Sequence, residues 1–206
     1  KIFIWGENLI GKLFYQGHGS YRLVSDQGIV IYVDPFAGAG YDLPADIVLI
    51  THEHPDHNNL SLLEQNQGCV VIRPETILRN GVYGIETIHN ITIQAVPAYN
   101  TGHDKNKCVG YLIVLDGIKI YASGDTSTTD YMKDVLSKEA IDYALLPIDG
   151  FYNMDPQEAS VCAAVIGAVH TIPIHMKPGA LFDRELAETF VAEGRLILEP
   201  NDEIKL

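Results

Sequence analysis

The sequence predicts a mixed α/β (α+β) fold of sheets with helices packed outside them, on two observations. Short β-rich runs dominate the first half, and strands alternate with helices in the second. No internal repeat, low-complexity tract or Pro/Ser-rich linker interrupts residues 1–206, which read as a single domain. In chain order, residues 12–16, 21–25 and 28–33 read as strands, parted by Gly17-His18-Gly19-Ser20 and Ser25-Asp26-Gln27-Gly28 as turns. Asp46-Ile47-Val48-Leu49-Ile50 is a continuous apolar run of the kind found in a strand buried on both faces. Further strands are expected near 69–73, 91–97, 109–115, 117–122 and 142–147, with Asp116-Gly117 as a hairpin turn and His89-Asn90 at another. Helices are expected over 59–64, 127–137, 156–169 and 183–193. The third has an Asp155 N-cap, Pro156 at its first position and Glu158 closing a capping box. His170 is expected at its end, where a cation suits the dipole. The last carries Leu186, Phe190 and Val191 on one face.

Composition excludes several classes. Twenty-seven acids against 14 bases leave a net charge of −13, which repels a polyphosphate backbone and argues against nucleic acid as partner or substrate. No apolar run reaches the roughly 18–20 residues of a membrane span. The opening Lys1-Ile2-Phe3-Ile4-Trp5-Gly6 lacks the organisation of a signal peptide, although the chain does not begin with Met. Cys69, Cys108 and Cys162 are odd in number, widely spaced and set beside apolar residues. They read as small buried hydrophobes in a reducing compartment, so cytoplasm is the expected location.

The chemistry is concentrated in Thr51-His52-Glu53-His54-Pro55-Asp56-His57, where three histidines and an aspartate fall within six residues. A strand ending at Ile50 launches His52 and His54 on one side, with Glu53 pointing away, to support either the structure or a metal ligand from behind. Pro55 imposes an extended kink, so Asp56 and His57 leave on a second vector. Two vectors suit two ions, and imidazole with carboxylate suits zinc, manganese or iron. Further candidates sit after predicted strands: His175 after Ile172-Pro173-Ile174, Asp125 in Ser123-Gly124-Asp125-Thr126, and His103 in Tyr99-Asn100-Thr101-Gly102-His103-Asp104. A carboxylate at Asp125 has two oxygens with which to bridge ions about 3.5–4 Å apart.

His52-x-His54-x-Asp56-His57, Gly124-Asp125-Thr126 and the C-terminal His175 together resemble the signature of the metallo-β-lactamase superfamily. Gly17-His18-Gly19-Ser20, Val33-Asp34-Pro35, Val96-Pro97-Ala98-Tyr99-Asn100, Gly110-Tyr111, Leu146-Pro147-Ile148-Asp149-Gly150 and Pro173-Ile174-His175 are similar to one branch. That branch contains ascorbate-6-phosphate lactonase and related metal-dependent hydrolases. The resemblance implies a four-layer αββα sandwich with two divalent ions at one edge of the sheets. One ion takes His52, His54 and a third histidine; the other takes Asp56, His57 and His175, with Asp125 bridging. Asp34 matches an acid that orients a metal-binding histidine. Many relatives carry the third histidine directly after the Val96-Pro97-Ala98 strand, where this chain has Tyr99-Asn100. His103 is therefore open to metal ligation, to substrate contact or to neither, and His18 is expected at the site mouth as a substrate contact or proton donor.

The expected enzyme is a hydrolase that attacks a small ester, lactone or phosphoester with hydroxide generated at the two ions, Asp56 and Asp125 being essential to the step. No Gly-x-Ser-x-Gly elbow offers a protein nucleophile. The competing readings are a di-iron oxidoreductase on the same fold and a non-catalytic metal-binding module.

Overall fold

The computed structural model describes residues 11–206, so the reading of Lys1–Gly6 lies outside the described residues. The first sheet is built from β1 (Lys12–Gly17), β2 (Ser20–Val24), β3 (Val30–Val33), β4 (Ala45–Leu49) and β5 (Gln65–Ile72). A short helix α1 (Pro74–Ile77) and a hairpin of β6 (Leu78–Arg79) and β7 (Val82–Tyr83) lead to the second sheet. It holds β8 (Ile85–Ile88), β9 (Ile91–Pro97), β10 (Val109–Leu115), β11 (Ile118–Ala122), β12 (Tyr143–Pro147) and β13 (His170–Ile174). Helices α2 (Asp130–Asp134), α3 (Pro156–Ile166) and α4 (Arg184–Thr189) intervene, and β14 (Glu203–Lys205) returns to pair with β1.

Sheet order is β14-β1-β2-β3-β4-β5 in one sheet and β13-β12-β11-β10-β9-β8 in the other. Each sheet is antiparallel on one side and parallel on the other: β3, β4 and β5 run parallel, as do β11, β12 and β13. The carboxyl ends of the parallel strands meet at one edge of the sandwich, the place where open α/β sheets bind ligands.

Alternation along the strands makes the layers. Ile31, Val33, Ile47 and Leu49 face inward and pack with Tyr111, Ile113, Ile120 and Leu145 of the second sheet. Leu112, Tyr121, Ala144 and Leu146 point out of the second sheet onto Met132, Leu136, Cys162 and Phe190 of the helical layer. Val30, Tyr32, Val48 and Ile50 point out of the first sheet onto Tyr41, Leu60 and Leu63. There the fourth layer is thin, a loop and one 3-10 turn.

Most expected elements are present, and the differences have local causes. The expected helix over 59–64 is a 3-10 turn, Leu60–Leu62, without a side-chain cap, running directly into β5. Six residues between the Pro55 turn and a strand are too few to offset helix nucleation. The third helix has its Asp155 cap, with Glu158 N–H donating to Asp155 Oδ1 at 2.7 Å. It stops at Gly167 in the left-handed region (φ 68°), so His170 opens β13 instead of closing the helix. His89 and Asn90 (φ 50° and 65°) and Asp116 and Gly117 (φ 53° and 84°) make the two expected hairpin turns. Cys108 and Cys162 are buried, Cys69 is half-buried, and all three are free. Among the described residues no helix is long and apolar enough to cross a membrane.

Candidate metal centre

Five histidines of the site, His18, His52, His57, His103 and His175, have a partner on the far nitrogen. Thr51, just past β4, donates from its backbone N–H to Asp34 Oδ1 (2.8 Å) and from its hydroxyl to Asp34 Oδ2 (2.7 Å). Its hydroxyl oxygen then faces His52 Nδ1 at 3.0 Å, and His57 Nδ1 lies 2.8 Å from the same Asp34 carboxylate. Asn100 Oδ1 accepts from His103 Nδ1 at 2.9 Å. Asp149 Oδ2 stands 2.8 Å from His175 Nδ1, and the Ala180 carbonyl accepts from His18 Nδ1 at 3.0 Å. Where Nδ1 carries its proton toward these partners, Nε2 is left to present its lone pair inward.

Inward, the side chains converge. The ligating atoms of His52, His54 and His103 lie within 4.8 Å of one another, as do those of His18, Asp56, His57 and His175. Asp125 joins the two groups: its oxygens lie 3.4 Å from His57 Nε2, 3.3 Å from His103 Nε2 and 3.4 Å from His175 Nε2. His18 Nε2 faces Asp56 Oδ2 at 3.1 Å. Two glycines allow this closeness: a Cβ on Gly19 would come 3.1 Å from His57, and one on Gly124, at φ +63°, would come 2.8 Å from Thr51.

The donor set fits divalent ions. The Nε2 atoms of His52, His57, His103 and His175 are buried with no hydrogen-bond partner. A buried imidazole lone pair without a donor is costly unless a cation receives it. At His18 a lone pair faces a carboxylate oxygen, two acceptors that a cation between them reconciles.

Electrostatics divide the cluster. Burial, then the neighbouring imidazoles His57, His103 and His54, carry His52 down to about 2; burial likewise lowers His103. Burial acts downward on His57 and His175 too, but there the carboxylates win. Asp125 and Asp34 raise His57, while Asp125, Asp149 and Asp56 push His175 up to about 10. Burial raises Asp56 and Asp125, but the surrounding imidazoles hold both well below the usual carboxylate range. Cys108 borders the site, and burial with nearby acids keeps it a thiol at about 11, in line with a site free of thiolate.

His52, His54, Asp56, His57, His103, Asp125 and His175 are thus brought into one cluster, with Asp34 behind His57. His103 fills the place of the histidine missing after Ala98, because the loop 99–107 folds back. His18 departs from expectation: it is fully buried beside Asp56, not at the mouth. Its backbone explains this, since its N–H donates to Leu181 O and its carbonyl accepts from Tyr15 Oη and His175 N–H. Glu53 points outward to Arg73 and Asn58. The sequence assigns no role to Thr51, Asn100, Asp149 or Asn153; the signals are that Thr51 opens the histidine run and that the runs containing Asn100 and Asp149 stand among the matched motifs.

A cleft of about 540 Å³ opens over His52, His54 and His103, with Glu53, Glu75, Asp104 and Lys107 on its walls.

The family comparison agrees with this geometry. Residues 12–175 match the model of the Beta-lactamase superfamily domain. A UPF0173 metal-dependent hydrolase from Thermococcus onnurineus is 30% identical over 95% of this chain and 99% of its own. A crystallised protein assigned as a metal-dependent hydrolase, from Parabacteroides distasonis, superposes with TM-score 0.76 at 28% identity, covering 93% of each chain. A protein from Thermotoga maritima, assigned as a zinc-dependent hydrolase of the metallo-beta-lactamase superfamily, superposes with TM-score 0.65 at 25% identity over 92% of this chain and 98% of that one. The narrower likeness to the ascorbate-6-phosphate lactonase branch rests on the motifs alone. Fold, cluster and relatives together place the chain in the beta-lactamase superfamily, among the UPF0173 metal-dependent hydrolases.

Proposed function

We propose that the chain is a hydrolase that holds two divalent ions and acts on a small ester or lactone without a phosphate group. The observation that carries the reading is the set of four buried, unpartnered Nε2 atoms arranged about Asp125. His52, His54 and His103 would hold one ion and Asp56, His57 and His175 the other, with His18 in reach of the second and Asp125 common to both. Zinc suits these donors, and the Thermotoga relative is described as zinc-dependent; manganese and iron suit them as well. Ions so held acidify water and polarise a scissile carbonyl or phosphoryl oxygen.

The protein's own groups do the rest. Asp34, Thr51, Asn100 and Asp149 fix the imidazole rings before substrate arrives, which removes reorganisation from the reaction. Asp56 and Asp125 offset the positive charge of the centre. His18, enclosed between Ala180 and Asp56, would join Asp56 at the second ion and not protonate a leaving group. The cleft walls favour an uncharged substrate. Glu53, Glu75 and Asp104 oppose Lys107, and Arg73 is occupied by Glu53. This acid excess, with the net charge of −13, also disfavours nucleic acid.

The test joins metal analysis of protein purified without added metal to turnover of p-nitrophenyl acetate, γ-butyrolactone, p-nitrophenyl phosphate and bis(p-nitrophenyl) phosphate. Two equivalents of metal with chelator-sensitive turnover of the ester or lactone are expected. Turnover confined to the phosphate compounds overturns the substrate class, and full turnover in excess chelator overturns the metal centre.

A further inference from the structure

One short loop touches both halves of the cluster. After β12 the chain runs Asp149-Gly150-Phe151-Tyr152-Asn153, and the Asp149 side chain is wholly enclosed. Asp149 Oδ1 accepts from the backbone N–H groups of Phe151 (2.6 Å), Tyr152 (2.6 Å) and Asn153 (3.1 Å), winding the loop around the carboxylate. The other oxygen receives Asn153 Nδ2 at 2.8 Å and stands 2.8 Å from His175 Nδ1. On the opposite side, Asn100 Nδ2 donates to Tyr152 O (2.8 Å) and to Asn153 Oδ1 (3.2 Å), while Asn100 Oδ1 holds His103. The amide of Asn153 therefore lies between the residue that aims His103 and the residue that aims His175.

We propose that Asn153 is a positioning residue that holds the His103 and His175 imidazoles in register with each other, so that the two halves of the metal centre are set by one amide. The idea rests on the proposed metal reading for its purpose but on hydrogen bonds alone for its geometry. An amide suits the task because it accepts from Asn100 with its oxygen and donates to the Asp149 carboxylate with its nitrogen. An aspartate of equal volume keeps the acceptor and loses both donors. Asn153 reaches the metal-binding atoms only through Asn100 and Asp149, so its action is on the orientation of His103 and His175. A ligand's supporting partners govern its orientation and basicity, and losing one costs about 10–100-fold in metal affinity.

The experiment uses the full chain labelled with 15N-histidine, read by imidazole NMR and, separately, by zinc titration against a chromogenic chelator. In Asn153→Ala the ring signals of both His103 and His175 are expected to shift and broaden, with those of His89 and His170 unmoved. Asn100→Ala is expected to move chiefly His103. Asn153→Asp should reproduce the alanine spectrum, whereas a residue that merely fills space would leave it like the native one. Each zinc dissociation constant should rise about tenfold or more in both Asn153 variants. A response from only one of the two rings, or a native spectrum in Asn153→Asp, overturns the proposal; a thermal melt on each variant separates these results from loss of the fold. If native protein takes up fewer than two zinc ions while both rings still respond, the two-ion reading falls and the role of Asn153 stands.

Discussion

The group His52, His54 and His103 is held from behind by neutral partners, Thr51 and Asn100, and opens onto the cleft through the exposed His54. The group His18, Asp56, His57 and His175 is held by carboxylates, Asp34 and Asp149, and its histidines are all buried. Backbone conformation follows the same division. His18, Asp34 and His175 sit at φ 56°, 46° and 46°, whereas His52, His54 and His103 keep negative φ. Non-glycine residues pay for the left-handed region with about 1–3 kcal/mol unless their surroundings over-determine it, and His and Asp are among the types that enter it most readily. The tight backbone bonds from His175 N–H to His18 O and from His18 N–H to Leu181 O supply that constraint. From the difference we infer a division of labour: a buried half that anchors, and a more accessible half that meets substrate.

The sharpest way to break the comparison is at the residue both halves share. Asp125→Ala should abolish turnover and lower zinc uptake in both halves, read by metal analysis and p-nitrophenyl acetate hydrolysis. Loss confined to one ion would show that the halves are independent. Next in size is the contrast between braces. Asp34→Asn should weaken zinc binding in the anchoring half by about 10–100-fold, with a smaller loss in the other half because Asp34 also holds Thr51. Thr51→Val should cost about tenfold or less, confined to the His52 side. Equal losses from the two variants, measured by chelator competition, would remove the distinction between carboxylate and hydroxyl support.

What the sequence revealed of this division follows from how local each signal is. His52, His54, Asp56 and His57 declare themselves because a strand end and a proline set their vectors within seven residues. Asp125 and His175 are legible one step further off, since each follows an apolar strand that needs only to end at the same edge. The braces are not legible. Asn100 and Asp149 look like turn residues until β9, β12 and β13 are joined in one sheet, and Asn153 meets Asn100 across more than 50 residues of chain. His18 was misplaced because Gly-His-Gly-Ser reads as an exposed turn, and only its bonds to Leu181 and His175 carry it inside. In the fold, the apolar strands β9 and β10 are legible to their ends. The edge strands β8 and β14 were missed because Ile-Glu-Thr-Ile and Glu-Ile-Lys are short and charged, as strands at a sheet edge tend to be.

Metal should also report on stability, with a smaller effect than on turnover. Free zinc at 100 times its dissociation constant adds about 2.7 kcal/mol for a single site that binds only the folded chain. Thermal melts should therefore rise with zinc in native protein and rise less in Asp34→Asn. An equal rise in both would mean that the ion responsible lies in the half Asp34 does not hold.

The smallest expected effect belongs to the one acid inside the histidine run that faces away from it. Glu53 accepts from Arg73 Nη1 at 2.5 Å and from Asn58 Nδ2 at 2.8 Å, and both side chains of the ion pair are partly exposed. Pairs of this kind contribute about 0–1 kcal/mol. Glu53→Gln should thus leave both zinc affinities and the melting curve close to native, although Glu53 stands between His52 and His54 in the sequence. Because Glu53 also borders the cleft, the same variant should turn over an anionic ester slightly better than native protein does. Loss of a bound ion in Glu53→Gln would place this carboxylate inside the centre and undo the assignment of the accessible half to neutral ligands and neutral braces.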